Sequence, residues 1–175
     1  MKKIKILTLS GSLRPQSSSH KILQIATTFL PENTEVDDTA SIGTLPHFDG
    51  SETPPPTVTS FLHQIQQADG ILICIPEYAF GVPGSFKNAL DWTVGGGEFS
   101  QKPVAYITAA SVGEKAHESL GHILTAMGST ITGTLRIPFI RAKLTSEGEL
   151  KDPVLKESVR TVVDSLIHTI KNNPT

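Results

Sequence analysis

The stretch GILICIP, residues 70–76, restricts what this chain can fold into more than any other. Five apolar residues follow the glycine without interruption, and a proline ends the run. A strand with one wet face alternates apolar and polar residues. An unbroken apolar run of this length belongs to a strand covered on both faces, as in a parallel sheet between two layers of helix. The remaining chain fits that frame. IKILTLS, residues 4–10, is a second, mostly apolar strand. Ile22, Leu23, Ile25, Ala26, Phe29 and Leu30 recur at helical spacing over 18–30, and Pro31 closes that helix. A short strand is expected near 35–38. Residues 41–57, with Gly43, Pro46, Gly50 and three consecutive prolines, read as a loop. Pro56 suits the first turn of a helix over 58–68. Further helices are expected at 84–93, 114–127 (ended by Gly128) and 153–170, and further strands at 102–110 and 130–137. Strand and helix alternate five times, which predicts an α/β fold with a doubly wound parallel sheet. Ligands of such sheets sit beyond the carboxyl ends of the strands, where the strand order reverses. The loops at 10–20, 76–84 and 109–115 are therefore the places for a site.

Bulk properties narrow the function. A chain of 175 residues fits one domain, residues 1–175, able to bury a core without staples. Fifteen Lys and Arg stand against 17 Asp and Glu, a net charge of -2, which lacks the basic excess of a nucleic-acid binder. The single cysteine, Cys74, forbids an internal disulfide and agrees with a reducing compartment. The opening MKKIKILTLSGS reads as a first strand rather than a signal peptide, because Lys5 interrupts its short apolar run. No run approaches the roughly 20 apolar residues of a membrane span. A soluble cytoplasmic protein is expected.

The loop GSLRPQSSSHKIL, residues 11–23, crowds Ser12, Ser17, Ser18 and Ser19 around a lone cation, Arg14. It joins a strand to a helix, so unpaired N–H groups and a positive dipole end face it. Ser12, Ser17 and Ser19 each have a hydroxyl to donate, and Arg14 adds a charge-assisted contact. The spacing is neither G-x-G-x-x-G nor G-x-x-x-x-G-K-[ST], so a terminal monophosphate suits it better than a pyrophosphate. Serines ahead of a helix also serve as plain N-caps. The second loop, PEYAFGVPGSFKNALDW at 76–92, puts Tyr78 and Phe80 at the same sheet end. Gly81 and Gly84 allow close backbone approach, and the combination suits a planar heterocycle with polar edges. Tyr78 points to a ligand or a subunit interface. Phe80 and Trp92 fit core packing as readily as ligand contact, and Lys87 and Asp91 are spaced to pair. Cys74 reads as a small core residue. His117 and His122 lack metal spacing, and no metal site is expected.

GSLRPQS, ADGILICIP and PEYAFGVPGSFKNALDW together resemble the NAD(P)H-dependent FMN reductases of the flavodoxin-like class, which include quinone, chromate and azo-dye reductases. The resemblance implies a flavodoxin-like five-stranded parallel sheet in three α/β/α layers. It implies FMN as cofactor, NADH or NADPH as co-substrate, and a homodimer or homotetramer. Ser12, Arg14, Ser17 and Ser19 would hold the FMN phosphate. Pro76, Glu77, Tyr78 and Ala79 would line the ring through backbone groups, with Phe80 and Gly81 beside them and Ser111 closing the other side. Electrons would pass by a ping-pong route to a small-molecule acceptor: a quinone, azo compound, metal oxyanion or free flavin. The chemistry would belong to the flavin, so no catalytic side chain is assigned. Three departures stand out. The family usually carries Asn where Ser19 and Ala79 stand. Its glycine-rich third loop is reduced here to AASVGEKAHES, in which Lys115 reads as a solvated lysine. Two other functions remain open: an electron-carrier flavodoxin, disfavoured by the near-neutral charge and the GSLR loop, and a flavin-free structural or interaction protein.

Overall fold

The structure, a computed structural model, describes residues 3–38 and 42–172; the ends of the 1–175 domain and the first residue of the loop expected at 41–57 lie outside the described residues. Five strands form one parallel sheet: β1 (Ile4–Ser10), β2 (Thr34–Asp38), β3 (Gly70–Ile75), β4 (Pro103–Ala109) and β5 (Thr130–Ile137). Their spatial order is β2-β1-β3-β4-β5, the flavodoxin-like order, with its reversal between β1 and β3. The helices are α1 (Ser18–Thr27), α2 (Pro56–Gln67), α3 (Gly84–Asp91), α4 (Glu114–Ala126), α5 (Ile140–Lys143) and α6 (Pro153–Asn172). A 3₁₀ turn, Ile42–Thr44, lies in the loop after β2.

The period-two geometry of a strand divides the core. Ile6, Leu72, Cys74, Ala105 and Ile107 pack beneath α1 and α6. Leu7, Leu9, Ile71, Ile73, Ile75 and Val104 pack against α2, α3 and α4 on the opposite face. Every residue of β3 and of β4 is buried, which is why those segments read as unbroken apolar runs. Three layers, α/β/α, result.

Local signals set the boundaries. Pro56 begins α2 at a position where no N–H is needed. Gly128, at a φ of +73°, follows the end of α4. Trp92 caps α3, is buried, and its Nε1 donates to the Pro46 carbonyl at 2.9 Å. Lys87 and Asp91 pair along α3. The edge strand β2 differs from its neighbours: Glu35, Val36, Asp37 and Asp38 are all exposed.

Candidate functional site

All five strands end on one rim of the sheet, and a cavity of about 270 Å³ opens there. Four loops wall it. Ser12, Arg14 and Ser17 come from the loop after β1, with Ser18 and Ser19 from the first turn of α1; Pro76, Glu77 and Tyr78 follow β3; Ala109 ends β4 and Ala110 and Ser111 follow it; and Phe139–Ala142 follow β5. Eight of the expected site residues thus meet around one space. Ala79, Phe80 and Gly81 lie outside its wall, Ser18 joins it from the hydroxyl cluster already noted, and the segment after β5 joins it unannounced.

The first loop is organised by its own hydroxyls. Ser12 Oγ accepts from the Arg14 N–H, and Ser10 Oγ accepts from the Ser12 N–H. Ser17 is the N-cap of α1: its Oγ accepts from the His20 N–H at 3.3 Å and lies 2.8 Å from His20 Nδ1. Arg14 is exposed at the cavity mouth. Ser19 is only 1% exposed, yet its Oγ has no hydrogen-bond partner among the described residues. A buried polar atom of this kind costs about 1–3 kcal/mol unless something satisfies it. The Cys74 thiol lies near enough for Ser19 to ease its ionisation, but their contact misses hydrogen-bond geometry. Burial prevails and pushes that thiol up to about 12, as expected of a core cysteine.

The second loop folds back at once. The Tyr78 N–H donates to the Gly81 carbonyl at 3.1 Å, and the Gly81 N–H donates to the Tyr78 carbonyl at 3.0 Å. Between them Ala79 and Phe80 both take positive φ, 48° and 58°, the pattern of a type I′ turn. Such turns favour Asn and Gly because a Cβ is strained there. Phe80 is consequently thrust into solvent, 77% exposed, and packs neither in the core nor on the cavity wall. Tyr78, 49% exposed, stays on the wall. Ala79→Asn should raise the unfolding free energy by about 0.5–1 kcal/mol, read from the urea midpoint. A midpoint that does not rise would mean the turn carries no strain at this position.

Glu77 does something the sequence does not announce. Its carboxylate spans from the second loop to the third and accepts from the Gly113 N–H at 3.1 Å and the Ala116 N–H at 3.0 Å. Gly113, the residue preceding α4, has no side chain to cap the helix and sits at a φ of +80°. Glu77 supplies that cap from 36 residues away, so its side chain anchors the cavity wall. The Phe139 N–H donates to the Ser111 carbonyl and the Ile140 N–H to the Ala110 carbonyl, tying the segment after β5 to the third loop. Phe139 is 67% exposed in a left-handed conformation. Behind the wall, His117 Nδ1 lies 3.0 Å from Thr108 Oγ1. Burial, with the Arg136 charge in second place, lowers the His117 pKa. Lys115 pairs with Glu118 on the surface of α4.

No group of three or more His, Cys, Asp and Glu among the described residues could hold a metal ion. No helix among them is long and apolar enough to cross a membrane.

The profile described as NADPH-dependent FMN reductase matches residues 4–139, the whole sheet with the first three cavity loops and the start of the fourth. The chain belongs to this family. Relatives within and around the reductase family agree. A quinone reductase of Escherichia coli K12 is 39% identical over 94 residues, 51% of this chain and 50% of its own, so the chain spans about half the length of the first curated relatives it matches. An NADPH:quinone oxidoreductase of Arabidopsis thaliana is 31% identical over 178 residues, 93% of this chain and 90% of its own. The flavoenzyme NAD(P)H:(acceptor) oxidoreductase FerB of Paracoccus denitrificans superposes with a TM-score of 0.78 at 23% identity, covering 97% of this chain and 98% of that one, and so shares the fold.

Proposed function

We propose that this member of the reductase family binds FMN in the rim cavity and transfers reducing equivalents from NADH or NADPH to a small-molecule acceptor of the quinone type. The observation that carries the proposal is the orphaned Ser19 hydroxyl, buried among the other donors of the first loop. Ser12, Ser17 and Ser19 would donate to a phosphate, the N–H groups opening α1 would point at it, and Arg14 would pair with its charge. The donors are neutral or cationic, as a phosphate requires. Pro76, Glu77 and Tyr78 on one side, and Ser111 on the other, would flank the ring, with Ala79, Phe80 and Gly81 at its margin. When bound, the flavin supplies the redox chemistry. The chain would bind and orient it, with Ala109 and Ala110 in the cavity wall; no side chain need move a proton.

A groove between α3 and α4, where Val94, Ile123 and Met127 stand beside the Lys87–Asp91 pair, is the surface proposed for assembly as a homodimer or homotetramer, with Val94 63% exposed there. The buried, unpaired Cys74 suits a reducing compartment such as the cytoplasm.

Titration with FMN tests the proposal, followed by NADH and NADPH oxidation with a benzoquinone. Saturable quenching of flavin fluorescence and quinone-dependent turnover are expected. A protein that neither binds FMN nor oxidises either nucleotide with FMN added would overturn it. Arg14→Ala should weaken FMN by about 1.5–3 kcal/mol, roughly 10- to 150-fold, the worth of a hydrogen bond to a charged group. Riboflavin, which lacks the phosphate, should bind both proteins alike. Equal losses for both flavins would remove the phosphate from this loop.

A further inference from the structure

Glu98 is a buried carboxylate that the rim cavity does not use. It follows the glycine run Gly95–Gly97 and is only 8% exposed. Its Oε1 accepts from Gln66 Nε2 at a long 3.4 Å. Its Oε2 is buried and has no hydrogen-bond partner among the described residues. A carboxylate oxygen left so costs more than a neutral group in the same place. The chain nevertheless keeps room for it. A Cβ at Gly96 would stand 2.7 Å from Glu98 Cδ and 2.8 Å from Oε2, so a side chain there would push the carboxylate out. Glu98 lines a hollow of about 450 Å³, with Phe48, Glu52, Leu62 and Trp92 in the same wall. No Lys, Arg or His among the described residues lines it, and it shares no wall residue with the rim cavity. The aromatic side is held in place. Phe48 meets Trp92 edge to face at 5.1 Å between ring centres. The Phe48 N–H donates to Asn88 Oδ1 at 2.8 Å, and Asn88 Nδ2 donates to the Pro46 carbonyl at 3.0 Å. The hollow therefore combines two aromatic rings, an exposed carboxylate at Glu52 and an unpaired buried one at Glu98.

We propose that this hollow is a second ligand site, which takes a small organic cation with a guanidinium or primary ammonium head. The head donates to the Glu98 carboxylate and supplies the partner that Oε2 lacks. A planar guanidinium suits the place best: its fork matches both carboxylate oxygens, and its face stacks on aromatic rings. The rings of Phe48 and Trp92 attract the positive charge, Glu52 adds a second negative one, and Leu62 offers an apolar rest for an alkyl stem. Glu98 is restrained by the long Gln66 bond alone, so turning its carboxylate to meet the head gives up little. An anion would find no cationic donor in this wall. The rim cavity is the opposite case, with Arg14 and Arg141 in its lining. The proposal needs no flavin and stands whether or not the rim cavity holds one.

Trp92 is the chain's one tryptophan, so its indole N–H gives a single NMR signal from the wall of the hollow. Butylguanidinium, titrated at constant ionic strength with and without FMN present, should move that signal saturably. Butylammonium should do the same, and the neutral butylurea should leave it in place. Glu98→Gln keeps the shape of the side chain and removes its charge. It should weaken butylguanidinium by about tenfold or more, the worth of a hydrogen bond to a charged group. Phe48→Leu should weaken it by about two- to fivefold, as loss of a partly exposed cation–π contact does. Phe48 lies on a surface loop, so this variant decides the matter if Glu98→Gln does not fold. No saturable shift, an equal shift with butylurea, or undiminished affinity in either folded variant overturns the proposal. Sedimentation velocity separates a free ligand from a side chain of a second copy. An unchanged sedimentation coefficient on adding butylguanidinium supports the free ligand. A fall to a smaller species gives the hollow to a neighbouring copy and overturns the assignment to a small cation.

Discussion

Gly11→Val is expected to lower the unfolding free energy by about 3 kcal/mol, the upper end of what overpacking costs. At the end of β1 the Gly11 N–H donates to the Cys74 carbonyl at 2.8 Å, which draws two strand ends together just below the loop that follows β1. A Cβ at Gly11 would stand 2.6 Å from Ile75 Cγ2, 2.9 Å from Ile75 Cβ and 3.1 Å from Ile75 Cα. The methyl group could rotate aside, but the backbone carbon behind it cannot, and a β-branched substituent enlarges the conflict. The control is Gly84→Ala at the start of α3, where a Cβ meets nothing within 4 Å; that change should be neutral or slightly stabilising. Urea unfolding of the two variants should separate them by more than 2 kcal/mol with a common m-value. A separation under about 1 kcal/mol would show that the strand ends part easily, and that the glycine is not there for close approach.

Glu77→Ala should cost about 2 kcal/mol. Two N–H groups in the first turn of α4 lose their acceptor, each left to find water or go unpaired, and a negative charge leaves the positive end of a helix dipole. Gly113 offers no substitute. Glu77→Gln keeps one oxygen for one of the two donors, so about half the loss should return. Hydrogen exchange gives the site-specific check: the Gly113 and Ala116 amides should exchange faster in Glu77→Ala, while those of β3 keep their protection. Unchanged exchange at both positions would mean that the third loop holds itself. No readout of flavin binding enters, so this result stands apart from the proposed activity.

Burial is what made so much of the fold legible. β1 and β5 run from Ile4 to Ser10 and from Thr130 to Ile137, as their composition predicts, and β3 loses only the terminal Pro76. α1 stops at Thr27 rather than 30, since the residues ahead of Pro31 complete their hydrogen bonds as turns. α6 continues to Asn172, past its last apolar position, because a solvated last turn needs no apolar partner. Trp92 and Cys74 are packed, as their neighbours imply. What stayed hidden depends on contacts between distant residues. α5 is four residues long and too short to show a period. Still, Pro138 punctuates the end of β5 as Pro76 does the end of β3, and β5 ends on the same rim. That parallel was the available signal for the wall at Phe139–Ala142. Nothing local marks Glu77 as the cap of α4, since its partners are 36 and 39 residues away. Phe80 reads as a core or ligand residue by its side chain alone; its exposure follows from a backbone turn that its neighbour Gly81 completes.

The solvent-facing row on β2 has a consequence for how copies of this chain behave when concentrated. Glu35, Asp37 and Asp38 stand along the open border of the sheet. A second molecule offering the same border would bring carboxylates face to face, and like charges directly opposite one another oppose strand pairing. This is the guard that natural sheets use against growing end over end into fibrils.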